Sequence, residues 1–199
     1  MSEPNAKSPA LPRSPELLSA RESALLVVDV QEKLIGGIRN HRSVVWNIRR
    51  LLDGARTLAV PFAGTEQYPQ GLGGTIAPLA DYFESLPEKL MFSCRECETI
   101  FRQWSDRGIR QILVVGIETH VCLAQTVFDL LAAGFQVYVA VDAVGARGEI
   151  DHETALRRID SCGATLTTTE AALFEWCEKA GSPEFKIISQ LVREDPPSE

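Results

Sequence analysis

The sequence predicts an α/β protein, a three-layer α/β/α sandwich on a mostly parallel sheet of about six strands. Three observations carry that expectation. Apolar runs of strand length recur along the chain, and they alternate with segments of helical periodicity. The runs are also near-continuously apolar, as strands covered on both faces must be. With 199 residues, 45% of them hydrophobic, the chain can bury the core of one such domain.

Taken in order, "ALLVVDV" (24–30) is a strand, and residues 41–58 form a helix in which Val44, Val45, Ile48, Leu51, Leu52 and Ala55 recur at helical spacing. "VPFAGT" (60–65) is a second strand. The Gly- and Pro-rich stretch "EQYPQGLGGTIAPL" leads through a short helix to a third, "KLMF" (89–92). A helix near 95–107 precedes the strand "QILVVGI" (111–117). A helix over 120–133, with Thr119 as N-cap and Gly134 just past its end, leads to "QVYVAV" (136–141). "ATLTT" (164–168) is the last strand, with helices on either side. Such a Rossmann-like sheet binds ligands beyond the carboxyl ends of its strands, where the strand order reverses. An order such as 3-2-1-4-5-6 would make the first and fourth strands neighbours at that point.

Residues 1–20 are rich in Pro, Ser and Ala, and "REDPPSE" closes the chain. The expected organisation is a flexible arm over 1–20, one domain over 21–192 and a flexible tail over 193–199. Twenty basic against 27 acidic residues leave a net charge of −7, the wrong sign for wrapping a phosphate backbone, so nucleic acid is not an expected partner. The N-terminus has no apolar signal region, and no run reaches the ~18 apolar residues of a membrane helix. Five cysteines are an odd number in a chain large enough to fold without staples, which points to free thiols and a cytoplasmic location.

Three residues stand where such a fold places chemistry. Cys122 falls in the first turn of its helix, on the face with Gln125, Thr126 and Asp129 and away from the stripe of His120, Val121, Ala124, Val127, Phe128 and Leu131. A helix N-terminus lowers a thiol's pKa, so Cys122 is either a nucleophile or one more small buried residue. Asp29 ends an apolar strand, where a carboxylate caps a loop or acts as a base. Lys89 is a surface charge or the cation that stabilises a thiolate. Other features carry less. "CREC" (94–97) lacks the second pair of a zinc site, "GLGGT" lacks a phosphate-loop pattern and reads as a flexible pocket-edge loop, and the histidines lack metal-ligand spacing. Asp142 reads as the cap of the turn after its strand.

"LLVVDVQEKL", the lysine of "EKLMFSC" and "VVGIETHVCLAQTVFDLLAAGFQVYVAVDAVGAR" together resemble the isochorismatase-like cysteine hydrolase family, over residues 22 to 178. The loop "TEQYPQGLGGT" resembles its isochorismatase domain-containing subgroup. The resemblance implies the isochorismatase-like hydrolase fold, a catalytic triad of Asp29, Lys89 and Cys122, and a cis peptide between Ile117 and Glu118. It further implies an oxyanion hole from the amides of Glu118 and Cys122. Gln31, Gln67, Tyr68, Phe92 and Ile117 are the candidate substrate-binding residues. "TEQYPQG" stands where the nicotinamidase branch has an Asp-x-His metal pattern, so no metal and no cofactor is expected. The function implied is thiol-dependent hydrolysis of a small amide-like molecule, in a homo-oligomer. The rivals are a non-catalytic ligand- or partner-binding role on the same scaffold, and a redox role for Cys94 and Cys97.

Overall fold

A computed structural model describes residues 11–197. Its strands are β1 (Ser23–Val28), β2 (Phe62–Gln67), β3 (Glu88–Lys89), β4 (Gln111–Ile117), β5 (Gln136–Gly145) and β6 (Thr165–Thr167). They form one parallel sheet in the order β3-β2-β1-β4-β5-β6. The helices are α1 (Glu32–Ile35), α2 (His41–Thr57), α3 (Pro69–Leu72), α4 (Ala77–Ala80), α5 (Glu98–Asp106), α6 (Ala124–Ala132), α7 (Glu149–Ser161), α8 (Thr169–Cys177) and α9 (Pro183–Leu191).

Two apolar layers sandwich the sheet because successive strand residues point to opposite faces. Leu25 and Val27 of β1 and Leu113, Val115 and Ile117 of β4 pack in one cluster with Val44, Ile48 and Leu51 of α2 and residues of α8 and α9. Ala24, Leu26, Val28, Ile112 and Val114 pack in the other, with Trp104 of α5, Val127 of α6 and Ile159 of α7. The periodic residues of α2 thus have the partner that their spacing requires.

Several boundaries differ from expectation, and polar bonding explains most of them. Strand β1 ends at Val28 because Asp29 turns into the left-handed region, at φ 51°. Strand β2 runs later than expected, to Gln67. Strand β3 is only two residues long: the Lys89 ammonium collects the carbonyls of Met91 and Phe92, which curls the chain away and leaves Leu90, Met91 and Phe92 outside the sheet. Strand β5 continues to Gly145 through a register shift against Val114 and Gly116, so Asp142 lies inside it and caps a different element. Its carboxylate accepts from the amide and hydroxyl of Thr169, at the start of α8.

The described part of the expected N-terminal arm packs against the domain. Leu18 is buried, and the Gln111 side chain accepts from the Ser19 amide and donates to the carbonyls of Pro15 and Leu17. In the expected tail, Glu194 pairs with Arg49. The remainder of the arm and tail, residues 1–10 and 198–199, lies outside the described residues.

Candidate active site

The carboxyl ends of β1, β2, β3 and β4 converge on one small polar cluster. Gly116 permits the closest approach: a Cβ there would lie 2.2 Å from the Val28 carbonyl oxygen, and its φ of 120° suits only glycine. Immediately beyond, Asp29 Oδ1 accepts from Thr65 Oγ1 (2.8 Å) and Oδ2 accepts from Lys89 Nζ (2.6 Å). The Asp29 amide donates to the Thr65 carbonyl, so backbone and side chain are both tied to β2. Neither side chain of the Asp29–Lys89 pair has any exposed surface, with 0% for each.

The ammonium of Lys89 also donates to Gln67 Oε1 (2.8 Å) and to the carbonyls of Phe92 (2.9 Å) and Met91 (3.3 Å). An ammonium has three protons, so these acceptors consume its capacity. Burial alone would lower its pKa, but Asp29 and the nearby thiols of Cys94 and Cys122 outweigh that and hold it above the usual lysine value. Lys89 is therefore a fixed positive charge.

Cys122 enters on a π-helical turn, Thr119–Leu123, rather than on a regular helix. The Glu118 carbonyl accepts from the amides of Val121 and Leu123, the second bond spanning five residues, and α6 continues from Ala124. The Ile117–Glu118 peptide is cis. Cys122 Sγ lies 4.0 Å from Gln67 Oε1, and the residue is 6% exposed. It packs with Val28, Leu123 and Val127 in the core, against the expectation that its helix face avoids apolar neighbours. Its pKa also moves opposite to the expected direction: burial raises it, Asp29 raises it further, and Lys89 opposes both. The resting sulfur is a thiol beside a carboxylate. Thr119 does not act as N-cap; its hydroxyl pairs with His152 Nδ1 at 3.0 Å.

The remaining candidates divide into inner and outer positions. Gln31 is buried, and its carboxamide is spent on the backbone, donating to the carbonyls of Gln67 and Gly73 and accepting from the Gln67 amide. Ile117 points to the opposite layer, beside α2, because it shares the parity of Leu113 and Val115; it does not line the site. Tyr68 and Phe92 stand half-exposed on the rim. Phe92 borders a hollow of about 500 Å³ with Leu90, Met91, Ser93, Gln125 and Phe128. The Glu118 carboxylate accepts from Arg147 Nε at 2.8 Å. The loop "GLGGT" is tied down, Gly71 and Gly73 by Lys33 and Gln31, Thr75 by Glu66.

The sequence does not single out Thr65, places Thr126 only on the face of Cys122, and offers Cys94 only as a redox partner of Cys97. Thr126 donates to the Cys122 carbonyl (2.7 Å) and accepts from the Cys94 amide (2.9 Å), while Cys94 Sγ lies 3.4 Å from Thr65 Oγ1. Burial pushes the Cys94 thiol up to about 12, with Asp29 adding to the rise. The signal is present in the sequence: Thr65, like Asp29, is a polar residue that follows a largely apolar run. Among the described residues no group of three or more His, Cys, Asp or Glu is placed to hold a metal ion.

The isochorismatase domain model matches residues 23–171. The chain belongs to the isochorismatase family. Isochorismatase domain-containing protein 2 of Bos taurus is 39% identical over 176 residues, covering 88% of this chain and 85% of that protein. The secreted isochorismatase effector Isc1 of Phytophthora sojae is 36% identical over 183 residues, covering 89% and 87%. Among solved structures, the MAR1 ribonuclease of Caenorhabditis elegans superposes with a TM-score of 0.83 at 36% identity, covering 92% of this chain and 95% of that one. This isochorismatase-family chain is thus built on a hydrolase scaffold, closely related to the domain-containing subgroup. Among the described residues no helix is long and apolar enough to cross a membrane.

Proposed function

We propose that the protein is a cysteine-dependent hydrolase that cleaves the C–N bond of a small amide-like substrate through a thioester. One observation carries the reading: the wholly buried Lys89–Asp29 pair adjoins the Cys122 thiol, at the edge where the strand order reverses. A structural salt bridge has no need of a thiol, and a packing cysteine has no need of a buried carboxylate.

Asp29 takes the thiol proton as sulfur attacks the carbonyl carbon, forming the S–C bond and an oxyanion. With the Lys89 protons already engaged, the oxyanion falls to the backbone amides of Glu118 and Cys122. The adduct collapses, the C–N bond breaks, and Asp29 returns its proton to the departing nitrogen. Water then loses a proton to Asp29 and attacks the thioester; the S–C bond breaks, releasing the acid, and sulfur regains the proton. Lys89 stays charged throughout and balances whichever neighbour is anionic. Phe92 and Tyr68 are the proposed contacts with substrate, whereas Gln31 holds the scaffold.

A cytoplasmic homo-oligomer completes the proposal. The location is supported by five free thiols, and the assembly by three successive large apolar residues, Leu90, Met91 and Phe92, standing exposed at the rim. Ammonia or amine release from a panel of small amides, ureas and carbamoyl compounds tests the function. Turnover by the wild type that Cys122→Ala abolishes is the expected result; full turnover by that variant overturns it.

A further inference from the structure

Among the described residues, the Gln67 side chain is an uncharged polar group that touches both Lys89 and the Cys122 sulfur. Its orientation is forced. Lys89 Nζ only donates, so it faces Oε1 at 2.8 Å; the Leu90 carbonyl only accepts, so it faces Nε2 at 2.9 Å. The backbone on either side is held as well, because Gln31 accepts from the Gln67 amide at 2.8 Å and donates to its carbonyl at 3.0 Å. A side chain fixed at both ends and buried is placed to fix something else.

We infer that Gln67 is a positioning residue: its Oε1 holds the Lys89 ammonium on Asp29 beside the Cys122 sulfur, and its neutrality leaves that cluster able to accept the sulfur's negative charge. The inference rests on the proposed thiol chemistry and deepens it. Around the sulfur, the ionisable groups are Asp29 and Lys89 from the ends of β1 and β3, and Cys94 from the turn that follows β3. On the sulfur's own turn are Glu118, which Arg147 neutralises, and His120; His152 approaches from α7. With glutamine at position 67, Asp29 and Lys89 cancel, and ionised sulfur adds one net negative charge. An isosteric glutamate would accept from Lys89 equally well, but it would put a second anion 4.0 Å from the sulfur.

The test is the rate at which iodoacetamide modifies Cys122 in the full chain, followed by peptide mass mapping from pH 7 to 10 for wild type, Gln67→Glu and Gln67→Met. Both variants lose the donor to the Leu90 carbonyl, so the methionine controls for loop loosening, and melting temperatures verify that each folds. The expected result is a rate about tenfold or more lower for Gln67→Glu at each pH, with Gln67→Met within about threefold of wild type. A folded Gln67→Glu that reacts within twofold of wild type overturns the inference. So does a Gln67→Met slowed as much as Gln67→Glu, since a merely structural role moves the two together. A wild-type Cys122 inert even at pH 10 also overturns the inference, because the cluster then does not accept the sulfur's charge, whereas the proposed thiol chemistry stands or falls separately on amide turnover by wild type and Cys122→Ala.

Discussion

Replacing Lys89 by methionine should cost more stability than any loss of packing explains. The side chains are similar in volume, so the core stays filled, but the Asp29 carboxylate is left without its counter-ion in a place with no solvent access. Gln67 Oε1 and the Phe92 carbonyl lose a donor at the same time. Breaking a buried pair from one side costs about 3–5 kcal/mol, of which the retained Thr65 hydrogen bond to Asp29 offsets a part. For a chain of this length, that is a fall in melting temperature of about 6–20 °C. Urea unfolding monitored by circular dichroism measures it, with an unchanged m-value showing that the denatured state is not the cause. The double variant Asp29→Asn/Lys89→Met removes both charges and should recover most of the loss, because replacing a whole buried pair is nearly neutral. A loss below about 1 kcal/mol for Lys89→Met, or a double variant as unstable as the single one, would refute the buried charge pair.

Three further perturbations probe the surroundings. Stability should fall as pH rises above ~8.5, where unfolded thiols ionise: Cys94 and Cys122 have raised pKa values in the fold, so the native state retains protons that the unfolded chain releases. Cys94→Ala should lessen that fall by about 1.4 kcal/mol per pH unit between pH 9.5 and 11, read from urea midpoints; an unchanged slope would contradict the burial of Cys94. Gly116→Ala forces a Cβ to 2.2 Å from the Val28 oxygen and should cost about 2–3 kcal/mol or more by thermal melting, unlike Gly36→Ala, whose added Cβ meets nothing within 4 Å at an ordinary φ of −64°. With a net charge of −7, the protein should release no fragments from a labelled RNA at physiological salt, whatever activity its nematode relative has; salt-dependent cleavage would reopen nucleic acid as a substrate.

The architecture was legible because periodicity encodes it. The central strands and α2 bury what their patterns said they would, and the switch between β1 and β4 followed from the strand order. Asp29 and Lys89 were legible as charges in apolar settings, which sequence can flag but not pair. The rest depends on hydrogen bonds between distant segments. Nothing local in "KLMF" reveals that Lys89 pulls the next carbonyls inward and ends the strand after two residues. The π-turn of Cys122 depends on where the Glu118 carbonyl points, and helical spacing assigned the sulfur to a face less buried than the one it occupies. The thiol's raised pKa was inaccessible for the same reason: the dipole of a helix end is visible in sequence, while a carboxylate arriving from β1 is not. Gln67 was read as lining because its two partners, Lys89 and Leu90, come from another strand end.

The most direct measurement is the mass of the Cys122 peptide after the protein is mixed with a turned-over amide and quenched in acid within the first turnover. An increment equal to the acyl group, held on Cys122 and lost at the rate of acid release, is the outcome that thioester chemistry requires. Acid release with no adduct at Cys122, and undiminished in Cys122→Ala, would mean that the sulfur is a bystander.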